Sequence, residues 1–231
     1  MTDLPLSKYL DPQDDEALQE ELVVVDRAFT TASEQHPARR WEYAMALRAL
    51  RTWETVVGHD AHRITDVGGS GSPFRWMIPH DHDLTLIDPA EPYTPQDLAS
   101  YLRHGVRAPD GWYQPILQEA VFCLSVLEHV EDLDAFLYHL SCLTAPGVLL
   151  FLTMDACDCP SHDADMEVPS VPDPHHFHWM RRRMFGHRDV RYVCEQLGQY
   201  QFQILGTANT QWPGPQVYDY SFFSLALIKR S

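Results

Sequence analysis

A chain of 231 residues with 45% hydrophobic content is long enough to bury one full core, and its balance is that of an ordinary globular protein. Its formal charge of −16, from 17 Lys and Arg against 33 Asp and Glu, argues against a duplex nucleic-acid partner, because phosphates would be repelled. No apolar run approaches the roughly 18–20 residues of a membrane span, and Met1-Thr2-Asp3-Leu4-Pro5 lacks the basic and apolar regions of a signal peptide.

Five cysteines are an odd number, and Cys123, Cys142 and Cys194 fall in expected core elements. That pattern reads as reduced thiols in a cytoplasmic protein.

Taken in order, residues 14–30 read as an acidic amphipathic helix, with Leu18, Leu22, Val25 and Phe29 at helical spacing. Residues 36–57 give a second helix. Its apolar stripe is Trp41, Ala44, Leu47, Leu50 and Trp53, with Arg39, Arg40, Arg48 and Arg51 beside it. Helices before a cofactor-binding strand cap the sheet or help close the site, and simple packing is the plainer role for Trp41 and Tyr43.

A β-branched strand at 63–67 then stops at the glycine-rich turn Gly68-Gly69-Ser70-Gly71, with Pro73 and Pro79 limiting the next helix to about 72–78. A second strand, 84–88, ends at Asp88, twenty-two positions beyond Asp66. Strand, glycine turn and a later acid hold a nucleotide-type cofactor at the edge of a parallel sheet. Glycines let the backbone approach the ligand, and the second acid accepts from ribose hydroxyls.

Five prolines break residues 89–119. A helix is expected over 95–103, with loop and short helix over 111–119, and no third strand can be placed. The continuous apolar run 120–126 reads as a strand buried on both faces. A helix follows over 132–144, and Pro146-Gly147 turns the chain into a strand at 148–153. Residues 155–177 are rich in Asp, Pro, Cys and His, as a loop or lid over the sheet's carboxyl edge would be. A helix at 186–198 and strands at 201–206 and 221–229 complete the chain. The alternation defines an α/β fold with a mostly parallel sheet.

These segments resemble a class I S-adenosylmethionine-dependent methyltransferase of the broad small-molecule, type-11-like group, over roughly residues 40–229. Asp66-Val67-Gly68-Gly69-Ser70-Gly71 resembles the family's first motif and Asp88 its acid after the second strand. Phe122-Cys123-Leu124-Ser125-Val126-Leu127-Glu128-His129-Val130 resembles the fourth-strand motif, and Leu143-Thr144-Ala145-Pro146-Gly147-Val148-Leu149-Leu150 the turn into the fifth. Three departures stand out: Ser70 occupies the second glycine position of the first motif, Val148 replaces the second glycine before the fifth strand, and the third-strand region carries no clear acid for the adenine amine.

The resemblance implies a three-layer Rossmann-like fold: a mostly parallel seven-stranded sheet with an antiparallel last strand, preceded by N-terminal helices. It divides the chain into a helical segment, 1–58, and a cofactor-binding domain, 59–231, with a lid insertion at about 155–185. The implied cofactor is S-adenosyl-L-methionine, held by Asp66, Gly68, Gly69, Ser70, Gly71, Asp88, Leu124 and Ser125. The implied activity is methyl transfer to an oxygen or nitrogen of a small molecule or glycan.

His129, just past the fourth strand, is the candidate general base; the plainer reading has Glu128-His129 cap the following helix. His175, His176 and His178 are candidate acceptor contacts. The Cys, His and Asp spacing of 155–178 matches no zinc pattern, so no metal is assigned. Two alternatives stay open. One is a non-catalytic module that keeps the fold. The other is a nicotinamide-dependent oxidoreductase, although the run Gly68–Phe74 lacks the third glycine of G-x-G-x-x-G.

Overall fold

The computed structural model describes residues 4–32, 39–68, 72–79, 82–87, 106–107, 113–114, 118–130, 132–156, 185–212 and 221–231. Their strands are β1 (Ser7–Tyr9), β2 (Arg63–Val67), β3 (Asp83–Ile87), β4 (Val106–Arg107), β5 (Tyr113–Gln114), β6 (Ala120–Cys123), β7 (Leu149–Ala156), β8 (Phe202–Ile204), β9 (Ala208–Asn209) and β10 (Ser221–Lys229). Their α-helices are α1 (Gln19–Ala32), α2 (Arg39–Val57), α3 (Leu133–Leu143) and α4 (His187–Gln199).

The main sheet has the order β3-β2-β6-β7-β10-β1-β9, with β8 also pairing β10. β3, β2, β6 and β7 are mutually parallel. β10 alone runs against the others, antiparallel to β7, β1 and β8. Side-chain alternation along the strands divides the core in two. Ile64, Phe122 and Phe151 pack with α1 and α2 on one face. Val67, Cys123, Leu150 and Leu152 pack with α3 and α4 on the other. This is the expected three-layer α/β fold with its antiparallel last strand.

Three expectations need correction. The sheet has eight described strands rather than seven, and residues 1–58 are not purely helical, because Ser7–Tyr9 pairs with the front half of β10. β10 is nine residues long, so one half pairs β1 while the other pairs β8. A three-residue strand has no periodicity of its own; its partner makes it a strand. Residues 113–114, expected as loop or short helix, form β5 in a small antiparallel pair with β4. The helix expected over 95–103 lies outside the described residues.

The arginines flanking the apolar stripe of α2 bind it to α1. Arg48 grips buried Glu21 with Nε at 2.8 Å and Nη2 at 2.9 Å, Arg51 adds a 2.9 Å bond to Glu21, and Arg40 pairs Asp26 at 2.6 Å. Two tryptophans add to this: Trp41 Nε1 donates to Asp14 at 3.0 Å, just ahead of α1, and Trp53 Nε1 donates to the Gly147 carbonyl at 2.8 Å, in the turn before β7. Helix α2 is therefore held rigidly across the sheet, with its first turn at the carboxyl end of the parallel strands.

Candidate functional site

In a parallel sheet, ligands bind where successive connections leave in opposite directions, beyond the carboxyl ends of the strands. Here that point lies between β2, whose chain proceeds to β3 on one side, and β6, whose chain proceeds to β7 on the other. Gly68 ends β2 with φ +80°, in the left-handed region that glycine enters freely. Its N–H donates to the Ile87 carbonyl at 2.7 Å, joining the ends of β2 and β3. A Cβ on Gly68 would stand 2.3 Å from Val126 Cγ2, so the two sides of the switch point meet at this glycine.

Beyond β6 the chain makes a second unusual turn at Ser125, whose φ is +53°. A residue with a Cβ pays for that conformation, and three hydrogen bonds compensate. The Ser125 N–H donates to Thr153 Oγ1 at 3.0 Å, and Ser125 Oγ donates to Glu42 Oε1 at 2.6 Å. Thr153 Oγ1 donates to the same Glu42 oxygen. Glu42, in the first turn of α2, is 1% exposed, and Arg39 Nε lies 3.9 Å from its other oxygen. One buried carboxylate thus joins α2 to the ends of β6 and β7.

Asp66, Thr153 and Asp155 are all buried. Strand alternation puts their side chains on the face that packs against α2, in step with Ile64 and Phe151. Tyr43, next to Glu42, spans to the other side of the switch point. Its hydroxyl lies 3.3 Å from Ser72 Oγ, which caps the short 3₁₀ helix Pro73–Trp76 by accepting from the Phe74 N–H at 3.1 Å. Burial pushes the Tyr43 phenol up to about 12, with Arg39 opposing and Asp66 and Glu42 adding to the rise. Tyr43 therefore stays protonated at any physiological pH. On the sheet's other face burial, with Glu128 and Asp66, drives the Cys123 thiol well above its ordinary value.

Of the residues singled out in the sequence, Asp66, Gly68, Leu124 and Ser125 are brought together at the ends of β2 and β6. Ser125, read as floor or plain core, has its hydroxyl committed to Glu42. His129 closes the short 3₁₀ helix Leu127–His129, is half-buried, and donates its N–H to the Val126 carbonyl at 2.9 Å. Gly69, Ser70, Gly71, Asp88, His175, His176 and His178 lie outside the described residues. Asp88 directly follows Ile87, whose carbonyl holds Gly68. The two stems of the 155–185 insertion meet: the Phe185 N–H donates to the Asp155 carbonyl at 2.9 Å, and Ala156 bridges Phe185 in parallel. The insertion therefore leaves and returns at the carboxyl end of β7.

Sequence reasoning missed Glu42 and Thr153. The available signal was an acid, Glu42, among the apolar residues Trp41, Tyr43, Ala44 and Met45, where a carboxylate needs a partner to be buried. Among the described residues no three His, Cys, Asp or Glu side chains converge to hold a metal ion, and no helix is long and apolar enough to cross a membrane.

Strand order and the lone antiparallel strand give a Rossmann-like fold, similar to that of solved S-adenosylmethionine-dependent methyltransferases. Among solved structures, the chain is similar to 1,6-didemethyltoxoflavin-N1-methyltransferase of Burkholderia thailandensis, which holds 1,6-didemethyltoxoflavin and S-adenosylhomocysteine. Identity is 15%, covering 96% of this chain and 92% of that one, at a TM-score of 0.50. Two further structures are the magnesium protoporphyrin IX methyltransferase of Synechocystis PCC 6803, at 15% identity, 95% and 98% coverage and TM-score 0.47, and the [4+2]-cyclase SpnF, at 13%, 94% and 96%, and 0.46. No protein-family model and no curated protein sequence matches the chain.

Proposed function

We propose that this chain is an S-adenosylmethionine-dependent methyltransferase that acts on an oxygen or nitrogen of a small molecule or glycan, within the type-11-like small-molecule group. The observation that carries this reading is the switch point itself, where Gly68 leaves no room for a side chain against Val126 and Asp66 stands buried two residues before it on β2.

The residues present suit the cofactor. A backbone turn at Gly68–Gly71 can approach its methionine end, Asp66 and Asp88 are acids for its amino group and ribose hydroxyls, and Leu124 and Ser125 form the floor. The sulfonium, when bound, supplies a methyl group already activated for in-line displacement, so the protein contributes mainly proximity and orientation. Helix α2, locked to β6 and β7 through Glu42, holds that floor in place. His129 is assigned as the base that takes the acceptor's proton on its imidazole, through Nε2, since Nδ1 is buried. His175, His176 and His178, on an insertion whose stems meet at β7, are assigned to acceptor contacts. The acidic chain, with its charge of −16, favours a small acceptor over nucleic acid, and a cytoplasmic location fits the free thiols of Cys123, Cys142 and Cys194.

Calorimetric titration with S-adenosylmethionine and S-adenosylhomocysteine tests this reading. Both are expected to bind, and Asp88→Ala is expected to weaken binding at least tenfold through loss of two charge-assisted hydrogen bonds. Absence of binding, or an Asp88→Ala variant that binds like the parent, refutes it. Binding without S-adenosylhomocysteine release across a broad acceptor panel would favour a non-catalytic module instead.

A further inference from the structure

We infer that Glu42 is a specificity-determining residue, whose buried charge biases the site toward a positively charged cofactor over its neutral demethylated product. The inference rests on the cofactor reading above and extends it to a residue of helix α2.

Glu42 Oε1 accepts from Ser125 Oγ at 2.6 Å and from Thr153 Oγ1, and a neutral amide oxygen could accept both. A carboxylate is costly to bury, and at 1% exposure Glu42 has little water to screen it. What the carboxylate adds is a fixed negative charge directly behind Ser125, at the strand ends where the cofactor's reacting atom would lie. Asp66 and Asp155 are buried acids on the same face, while Arg39 Nε, 3.9 Å from Glu42 Oε2, opposes the Glu42 charge. S-adenosylmethionine and S-adenosylhomocysteine share their adenosine and amino-acid parts and differ by one methyl group and one positive charge. A packing defect moves both affinities together. Loss of a nearby charge shifts the ratio of the two, because their amino-acid charges are common and only the sulfonium differs. At an effective dielectric of about 20, a charge pair several ångströms apart is worth tens of fold in affinity, and opposition by Arg39 and solvent reduces that to about tenfold.

The test is calorimetric titration of the full chain, as parent, Glu42→Gln and Thr153→Val, with S-adenosylmethionine, S-adenosylhomocysteine and sinefungin, which carries a protonated amine in place of the sulfonium. Glu42→Gln is expected to raise the Kd for both cations about tenfold relative to S-adenosylhomocysteine. Thr153→Val, which removes a hydrogen bond but no charge, is expected to move all three in parallel. A Glu42→Gln variant with unchanged ratios overturns the inference and leaves the cofactor reading intact. A parent protein that binds none of the three overturns both. Should Glu42→Gln not fold, the parent decides: sinefungin binding weaker than S-adenosylhomocysteine overturns the inference, and equal or tighter binding supports it.

Discussion

Replacing Gly68 by alanine tests the geometry of the switch point at a single atom. Two costs are separable there. The backbone sits at φ +80°, where an L-residue pays about 1–2 kcal/mol. The new Cβ would meet Val126 Cγ2 at 2.3 Å, and overpacking of that kind costs about 1–3 kcal/mol. Gly68→Ala is thus expected to lose about 2–5 kcal/mol from a total that is typically about 5–15 kcal/mol. Val126→Ala removes the offending methyl and leaves Val126 Cβ at 3.5 Å, an ordinary contact. In the double variant the steric cost should vanish while the backbone cost remains, giving a favourable coupling of about 1–3 kcal/mol. Urea unfolding followed by circular dichroism and tryptophan fluorescence, with six tryptophans as probes, measures all four corners of the cycle. The reasoning fails if Gly68→Ala lies within about 0.5 kcal/mol of the parent, or if the two substitutions are additive.

Three further outcomes follow from the same region. Ser125→Ala should cost about 1.5–3 kcal/mol, because it removes one hydrogen bond from a buried carboxylate. Ser125→Gly should cost about 1 kcal/mol less, because glycine accepts φ +53°; equal losses in urea unfolding would contradict the left-handed turn. Tyr43 has its phenol raised from 10.0 to about 12 chiefly by burial. The protonated form is therefore favoured in the folded state, and that stability is complete below pH 10 and lost as pH rises from there to about 12. At about 1.4 kcal/mol per pH unit the loss is roughly 2–3 kcal/mol, and comparison of parent and Tyr43→Phe unfolding across that range should show it missing in the variant. Finally, brief iodoacetamide labelling read by peptide mass spectrometry should modify exposed Cys142 well ahead of Cys194 and Cys123. Burial pushes the Cys194 thiol up to about 11 and the Cys123 thiol well above its ordinary value; early labelling of Cys123 would refute the buried strand.

The sequence alone determined what depends on neighbours along the chain. Strands Arg63–Val67 and Ser221–Lys229 lie where their apolar runs put them, and α2, α3 and α4 end within a few residues of their expected limits, because periodicity and turn residues act locally. Asp66, Gly68 and Ser125 were legible for the same reason, as a strand end, a turn and a strand exit. Only the tertiary structure decided which distant residues share the site. Ser7–Tyr9 is a strand because β10, long enough to pair twice, and β9 flank it. Glu42 reads as one more polar residue of an amphipathic helix until folding buries it 83 positions from Ser125 and 111 from Thr153. Burying a charge is tolerable only with partners, and those partners are supplied by the packing of α2 across the sheet, which no spacing in the chain encodes.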